Sequence, residues 1–300
     1  MTTTTTTPAV PAPIPAARRP GGPPKVGKRP MTLASVVRYV LLLLFLSIIL
    51  IPAYVLIVTS FKPATETSSS QAWALPQNWT LDGWRTAWEA LKAPLMRTFS
   101  LAIPVSVMSS MLGSMNGFVL SRWRFPYANV VFALLLFGMF IPYQAVMIPL
   151  VQMMRDIGVA NGIPALIIVH TIFGLPICTL IFRNYYESIP NDLIEAARID
   201  GAGMLATYFR VILPLSAPGF VVTVIWQFTS VWNDFLFAIF LSNTRNGPVT
   251  IALNALAGGQ LSNYAASMAG AMIASVPTLI VYIVLGRYFV SGLMAGSVKA

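Results

Sequence analysis

EAARIDGAGMLATYFRVILP, Glu195 to Pro214, is a wet, helix-patterned stretch set between apolar runs. Uncharged residues extend from Ile157 to Phe182 before it and from Val211 to Asn233 around its end, 26 and 23 residues. About 20 residues at roughly 1.5 Å each cross the hydrocarbon core of a bilayer. The stretch is therefore a loop between two membrane spans, and its own pattern predicts two short helices. Pro190 suits a first helical turn and Asp192 suits the positive end of the dipole. Leu193, Ala196, Ala197 and Asp200 share a face by i, i+3, i+4, i+7 spacing, with Glu195 and Arg198 placed to pair. Gly201 is placed to end this helix in the left-handed conformation. A second helix is expected over Met204–Leu213, stopped by Pro214. The product is a glycine elbow whose two alanines present a face that another protein's backbone can approach.

Outward from the elbow the chain repeats the apolar theme. Uncharged runs cover Tyr39–Val58, Thr98–Ser121, Phe125–Met154 and Asn246–Gly286. With the two runs beside the elbow they predict an all-α integral membrane protein of six transmembrane helices. The spans are placed at about 37–58, 98–120, 128–153, 163–184, 214–238 and 265–287, with the elbow at 188–213. Only 9% of the 300 residues are charged, far below the roughly 25% usual for soluble domains. The first run is too long for a cleavable signal and is read as a retained span. Before it, residues 1–34 are rich in Thr, Pro, Ala and basic residues and read as a disordered cytoplasmic tail, leaving 35–300 as the membrane domain.

The net charge of +10 belongs to the flanks of the spans rather than to a basic groove, so nucleic acid is not an expected partner. With the N-terminus inside, 13 of the 19 Lys and Arg fall on the inner side, which puts both termini in the cytoplasm. Each span carries proline, and such helices bend. In the first outer loop Trp84, Trp88 and Leu91 have the spacing of a short amphipathic helix lying at the membrane interface. Contact with an external partner is the other reading of that loop. Cys178 stands alone in an apolar run, which excludes an intramolecular disulfide. No phosphate-binding loop, catalytic constellation or metal-ligand cluster occurs, so the chain is not expected to be an enzyme by itself.

The run Glu195-Ala196-Ala197, with Asp200-Gly201 and Leu213-Pro214 behind it, resembles the EAA motif of permeases in binding-protein-dependent ATP-binding-cassette importers. Val211 stands where that family usually has isoleucine. Ser60-Phe61-Lys62-Pro63, Arg122-Trp123-Arg124-Phe125-Pro126, Trp232-Asn233-Asp234-Phe235 and the terminal Gly292–Lys299 are similar to maltose-type carbohydrate permeases. Phe182–Tyr186 and Ile225–Asn233 resemble the glucose/mannose-type members.

The resemblance implies an inner-membrane subunit that forms a translocation path with a second permease. Two ATPase subunits would use ATP and Mg, and an external binding protein would deliver a sugar. It further implies that Glu195, Ala196, Ala197, Asp200, Gly201, Leu213 and Pro214 couple the spans to the ATPase.

For the path itself, Gln227, Trp232, Asn233 and Asp234 make the best polar and aromatic cluster, and Gln144 and His170 are secondary candidates. Asp234 is expected near the outer end, where a carboxylate costs little. The same residues also read as an interfacial Asn–Asp turn, and His170 as a helix-packing donor. The same machine carrying a polyamine, phosphate or peptide, or a secondary transporter, are the competing functions. The second would need ionisable midplane residues or inverted repeats.

Overall fold

The computed structural model describes residues 32–123, 125–159, 161–258 and 263–295. Most of the expected tail, Arg124, residues 296–299 of the terminal motif and Ala300 lie outside them. The chain divides into two units, Met1–Leu50 and Ile51–Ala300. The described part of the first is the opening of an apolar helix, α1, which runs Leu33–Ser60.

Among the described residues every regular element is helical. α2 spans Asp82–Arg122, α3 Ala128–Phe137, α4 Met147–Asp156 and α5 Ile163–Glu187. The elbow contributes α6 Asn191–Ile199, α7 Met204–Thr207 and α8 Leu213–Leu215. Beyond it come α9 Ala217–Trp232, α10 Leu236–Leu241, α11 Val249–Ala257 and α12 Tyr264–Ala295. Helices α1, α2, α5 and α12 are each long and apolar enough to cross a membrane. Two bent pairs also pass that test, 128–156 with an 88° bend and 204–232 with a 77° bend, giving up to six spans.

Three elements differ from expectation for identifiable reasons. The interfacial helix of the first outer loop is the beginning of α2, which is 41 residues long. Leu91 is fully buried while Trp88 is exposed, so the Trp/Leu stripe turns towards helix packing instead of lying on lipid. The third span is broken: Ile141, preceding Pro142, takes an extended ψ of 120°, as steric conflict with the proline ring demands. The fifth span stops at Asn233 and restarts at Leu236.

The middle of the bundle is α2 against α5. They meet where α2 carries Gly113 and Gly117; a β-carbon there would lie 2.4 Å from Cys178 Cβ and 2.8 Å from Phe182 Cβ. Without a hydrophobic drive between helices in lipid, small residues permit the close approach that packing needs. The small residues of α12 act similarly, with Ala265, Ala266 and Ala269 almost completely buried.

Candidate functional site

The elbow begins where α5 ends. Pro190, extended at ψ 138°, precedes Asn191, so the proline stands just outside α6 rather than in its first turn. At the other end Gly201 has φ +78°. Its N–H donates to the Arg198 carbonyl at 3.0 Å, and the Ala202 N–H donates to the Ala197 carbonyl at 2.9 Å. These are the two bonds of a Schellman stop, and the positive φ is the reason a glycine is needed there.

The second half of the elbow is less regular than its sequence suggests. α7 lasts one turn, a π-helical turn covers Tyr208–Ile212, and α8 carries the chain through Pro214 to Leu215. Pro214 therefore does not terminate the segment. The widened turn sends Tyr208 and Ile212 inward, exposed to only 2% and 0%.

Inward-facing side chains build a separate core of Phe118, Phe182, Tyr186, Ile194, Tyr208 and Ile212, fastening the elbow to α2 and α5. At its heart is a chain of hydroxyls. Ser114 is hydrogen-bonded to the Tyr186 phenol and, at 2.8 Å, to that of Tyr208. Ser216 Oγ lies 2.9 Å from the Tyr186 hydroxyl and also donates to the Ile212 carbonyl. All four residues are buried, and buried hydroxyls persist where they satisfy one another. At the rim, Arg122 donates from its guanidinium to the carbonyls of Tyr186 and Ile189 and to the Asn191 side chain. One cation thus ties the end of α2 to the end of α5 and the start of α6, where carbonyls lack helical partners.

The outward face also differs in part from expectation. Ala197 is buried alongside Ile194, whereas Glu195 and Ala196 are exposed. The i, i+3 pair Ile194–Ala197 is the apolar stripe that anchors α6, so a single alanine remains on the outer face. Ile199 is 86% exposed, with Leu205 and Phe209 also open. Glu195 and Arg198 form no ion pair; the Arg198 guanidinium stands 5.5 Å from the Trp123 ring. Both residues line a recess of about 670 Å³ with Ser121, Arg122, Trp123, Asn191 and Ile194. Asp200 and Gly201 are exposed at the bend.

The second group of expected residues separates. Gln227 is buried, donating to Ser109 Oγ and the His170 carbonyl, both at 3.3 Å. Trp232 is buried too, with Nε1 donating to the Ala274 carbonyl at 2.9 Å. Both side chains are spent on helix packing. Asn233 and Gln144 are exposed. Asp234 lies inside the bundle, its side chain 12% exposed and 3.4 Å from His170 Nε2.

Sequence reading missed the Ser114–Tyr186–Tyr208–Ser216 chain and the Arg122 clasp. The available signal was Tyr208 at i−4 from Ile212 in an otherwise wet segment.

The sequence model for "Binding-protein-dependent transport system inner membrane component" matches residues 86–294, a stretch that includes most of α2, both bent pairs and the whole elbow. The chain belongs to that permease family. Relatives extend over most of its length. The xylose/arabinose import permease protein XacI of Haloferax volcanii is 35% identical, covering 88% of this chain and 93% of that one. The glucose import system permease protein GlcU of Saccharolobus solfataricus is 32% identical, covering 89% and 96%. The melibiose/raffinose/stachyose import permease protein MelC of Bacillus subtilis is 33% identical, covering 83% and 91%.

The permease also shares its fold with a chain from the crystal structure of a bacterial ABC transporter involved in the import of the acidic polysaccharide alginate. The TM-score is 0.74 at 23% identity, over 88% of this chain and 99% of the other. As members of a family of inner-membrane transport components, such permeases conduct solutes rather than transform them.

Proposed function

We propose that this permease is the membrane subunit of an ATP-driven sugar importer. It forms the translocation path with a second permease, receives sugar from an external binding protein, and is driven by two cytoplasmic ATPases that hold ATP and Mg. Sugar is favoured because XacI, GlcU and MelC, each at least 32% identical over most of the chain, are named as sugar import permeases. Both termini and the elbow lie on the cytoplasmic side, in keeping with the distribution of Lys and Arg.

The observation that carries the coupling role is the two-sidedness of the elbow. Its outer face offers Glu195, Ala196 and Ile199 to a partner, while its inner face is built into the core of α2 and α5. A push on the outer face therefore moves the spans instead of being absorbed by a loose loop. Asp200 and Gly201 set the bend, and Leu213 and Pro214 feed it into the fifth span. Along the path, Gln144 and Asn233 offer amides to sugar hydroxyls, whereas Gln227 and Trp232 hold helices together behind it.

The test is uptake of labelled sugar into proteoliposomes containing the complete importer. Gly201→Val and Glu195→Arg should each abolish ATP-dependent uptake while insertion and assembly stay normal. Undiminished uptake in both variants would sink the coupling role.

A further inference from the structure

His170 is touched by both halves of the broken fifth span. The inner half reaches its backbone, since Gln227 on α9 donates to the His170 carbonyl. The outer half reaches its side chain, since Asp234 at the head of α10 lies 3.4 Å from Nε2. Asp234 in turn accepts from the N–H groups of Phe237 and Ala238, at 3.4 and 3.1 Å. It therefore fixes the start of α10, and Asp234 is held in turn through its backbone, where the Thr250 hydroxyl donates to its carbonyl at 2.7 Å, and through its side chain, where it faces His170.

The rest of the attachment is apolar and articulated. The Phe237 ring sits 5.1 Å from the rings of His170, Phe173 and Tyr143. Tyr143 follows the break of the third span, so both broken spans meet at Phe237, beside His170. Among the described residues the His170–Asp234 contact is the one polar side-chain tie between α5 and the head of α10, while at the far end of α10 the Gly162 N–H donates to the Leu241 carbonyl at 2.7 Å. The side-chain tie is also slack. Its length exceeds the usual N–H···O range, Nε2 makes no hydrogen bond, and both side chains are largely buried. A buried ring nitrogen that faces a carboxylate just beyond bonding distance makes a contact that a small displacement of α10 can close or lose.

We propose that His170 is a positioning residue that latches α10 to α5, and that release of Asp234 from His170 lets the outer half of the fifth span swing and open the outer end of the path. This rests on the importer reading above for the identity of the path, but the latch is tested separately.

In the assembled importer in membrane vesicles, with Cys178→Ser as background, Asn233→Cys is labelled with a membrane-impermeant maleimide in the absence of binding protein. His170→Phe should speed labelling about tenfold, the scale of one lost buried polar contact. Asp234→Asn should speed it less, and His170→Gln, which restores a donor, should return it to the parent rate. Equal rates in His170→Phe and parent would overturn the latch, whatever uptake does. So would a His170→Gln rate matching His170→Phe, because the ring's packing would then be the cause. Should His170→Phe not assemble, Asp234→Asn against His170→Gln decides by the same comparison. Failure of the importer reading would appear instead as uptake indifferent to Gly201→Val.

Discussion

The two ends of α5 are fastened in opposite styles. At the inner end Tyr186 shares hydroxyl bonds with Ser114 and Ser216, Tyr208 joins through Ser114, and Arg122 caps the final carbonyls. Apart from Arg122 Nε, which is buried without a partner, the polar groups there meet one another around a closed aromatic core. Towards the outer end a 3.4 Å contact between His170 and Asp234, a set of ring edges and one backbone bond, from the Gly162 N–H to the Leu241 carbonyl at 2.7 Å, do the holding. The difference suits a machine driven from one side. In the proposed importer the inner end transmits displacement and the outer end parts when the displacement arrives.

The largest effect should come from breaking the inner clasp. Arg122→Ala strips three charge-assisted hydrogen bonds, each worth about 1.5–3 kcal/mol. The ends of α2 and α5 would then move separately, and uptake in proteoliposomes should fall more than tenfold. Arg122→Lys should recover little, because an ammonium cannot serve three acceptors in the fork geometry of guanidinium. Near-normal uptake in both would show that the inner end does not need its rigidity.

A smaller loss is expected from opening the hydroxyl chain. Tyr186→Phe leaves Ser114 and Ser216 without their shared oxygen inside a closed core, a penalty of about 1–3 kcal/mol. It should lower the thermal unfolding midpoint in detergent. Tyr208→Phe should cost less, since Ser114 keeps one partner. The double variant should fall short of the sum by about 0.5 kcal/mol or more, the mark of a coupled network. Strict additivity would dissolve the chain into separate bonds.

The alanines of the elbow sharpen the contrast between transmission and docking. Ala197→Leu overfills the Ile194 stripe and should cost about 1–3 kcal/mol of stability. Ala196→Leu, on the open face, should leave stability within about 0.5 kcal/mol and yet reduce stimulated ATP hydrolysis by the assembled complex. Equal behaviour of the two would mean that the elbow does not distinguish an inner from an outer face.

Much of this is legible in the sequence. Charge-free runs mark the apolar helices, and Gly201 reads as a left-handed stop because few sequence features demand positive φ so directly. The two breaks were harder. Pro142 announced a bend but not an 88° turn, since the angle depends on what packs against each half. The facing of Ala197 and Leu91 is not legible in the sequence for a related reason. In a membrane protein apolar residues face both lipid and core, so periodicity alone does not say which stripe is inside. Gln227 and Trp232 looked like path residues because a polar atom in a span suggests function. Their partners, the backbone carbonyls of His170 and Ala274, are distant in sequence and leave no mark there.

The smallest predicted effect concerns the path and separates the exposed amides from the buried ones. Asn233 commits its Nδ2 to the Thr229 carbonyl at 2.9 Å, which leaves its carbonyl oxygen free to accept from a sugar hydroxyl. Gln144 is exposed on the turn after the third-span break. Removing one neutral hydrogen bond is worth about 1 kcal/mol, or roughly fivefold in affinity. Asn233→Ala and Gln144→Ala should therefore raise the half-saturating sugar concentration severalfold while the unfolding midpoint stays fixed. Gln227→Ala should do the reverse, lowering the midpoint by emptying the space beside Gly174 and leaving half-saturation unchanged. If Gln227→Ala alone weakened sugar dependence, the path would run behind the fifth span, and the contrast between slack outer surface and packed interior would have to be redrawn.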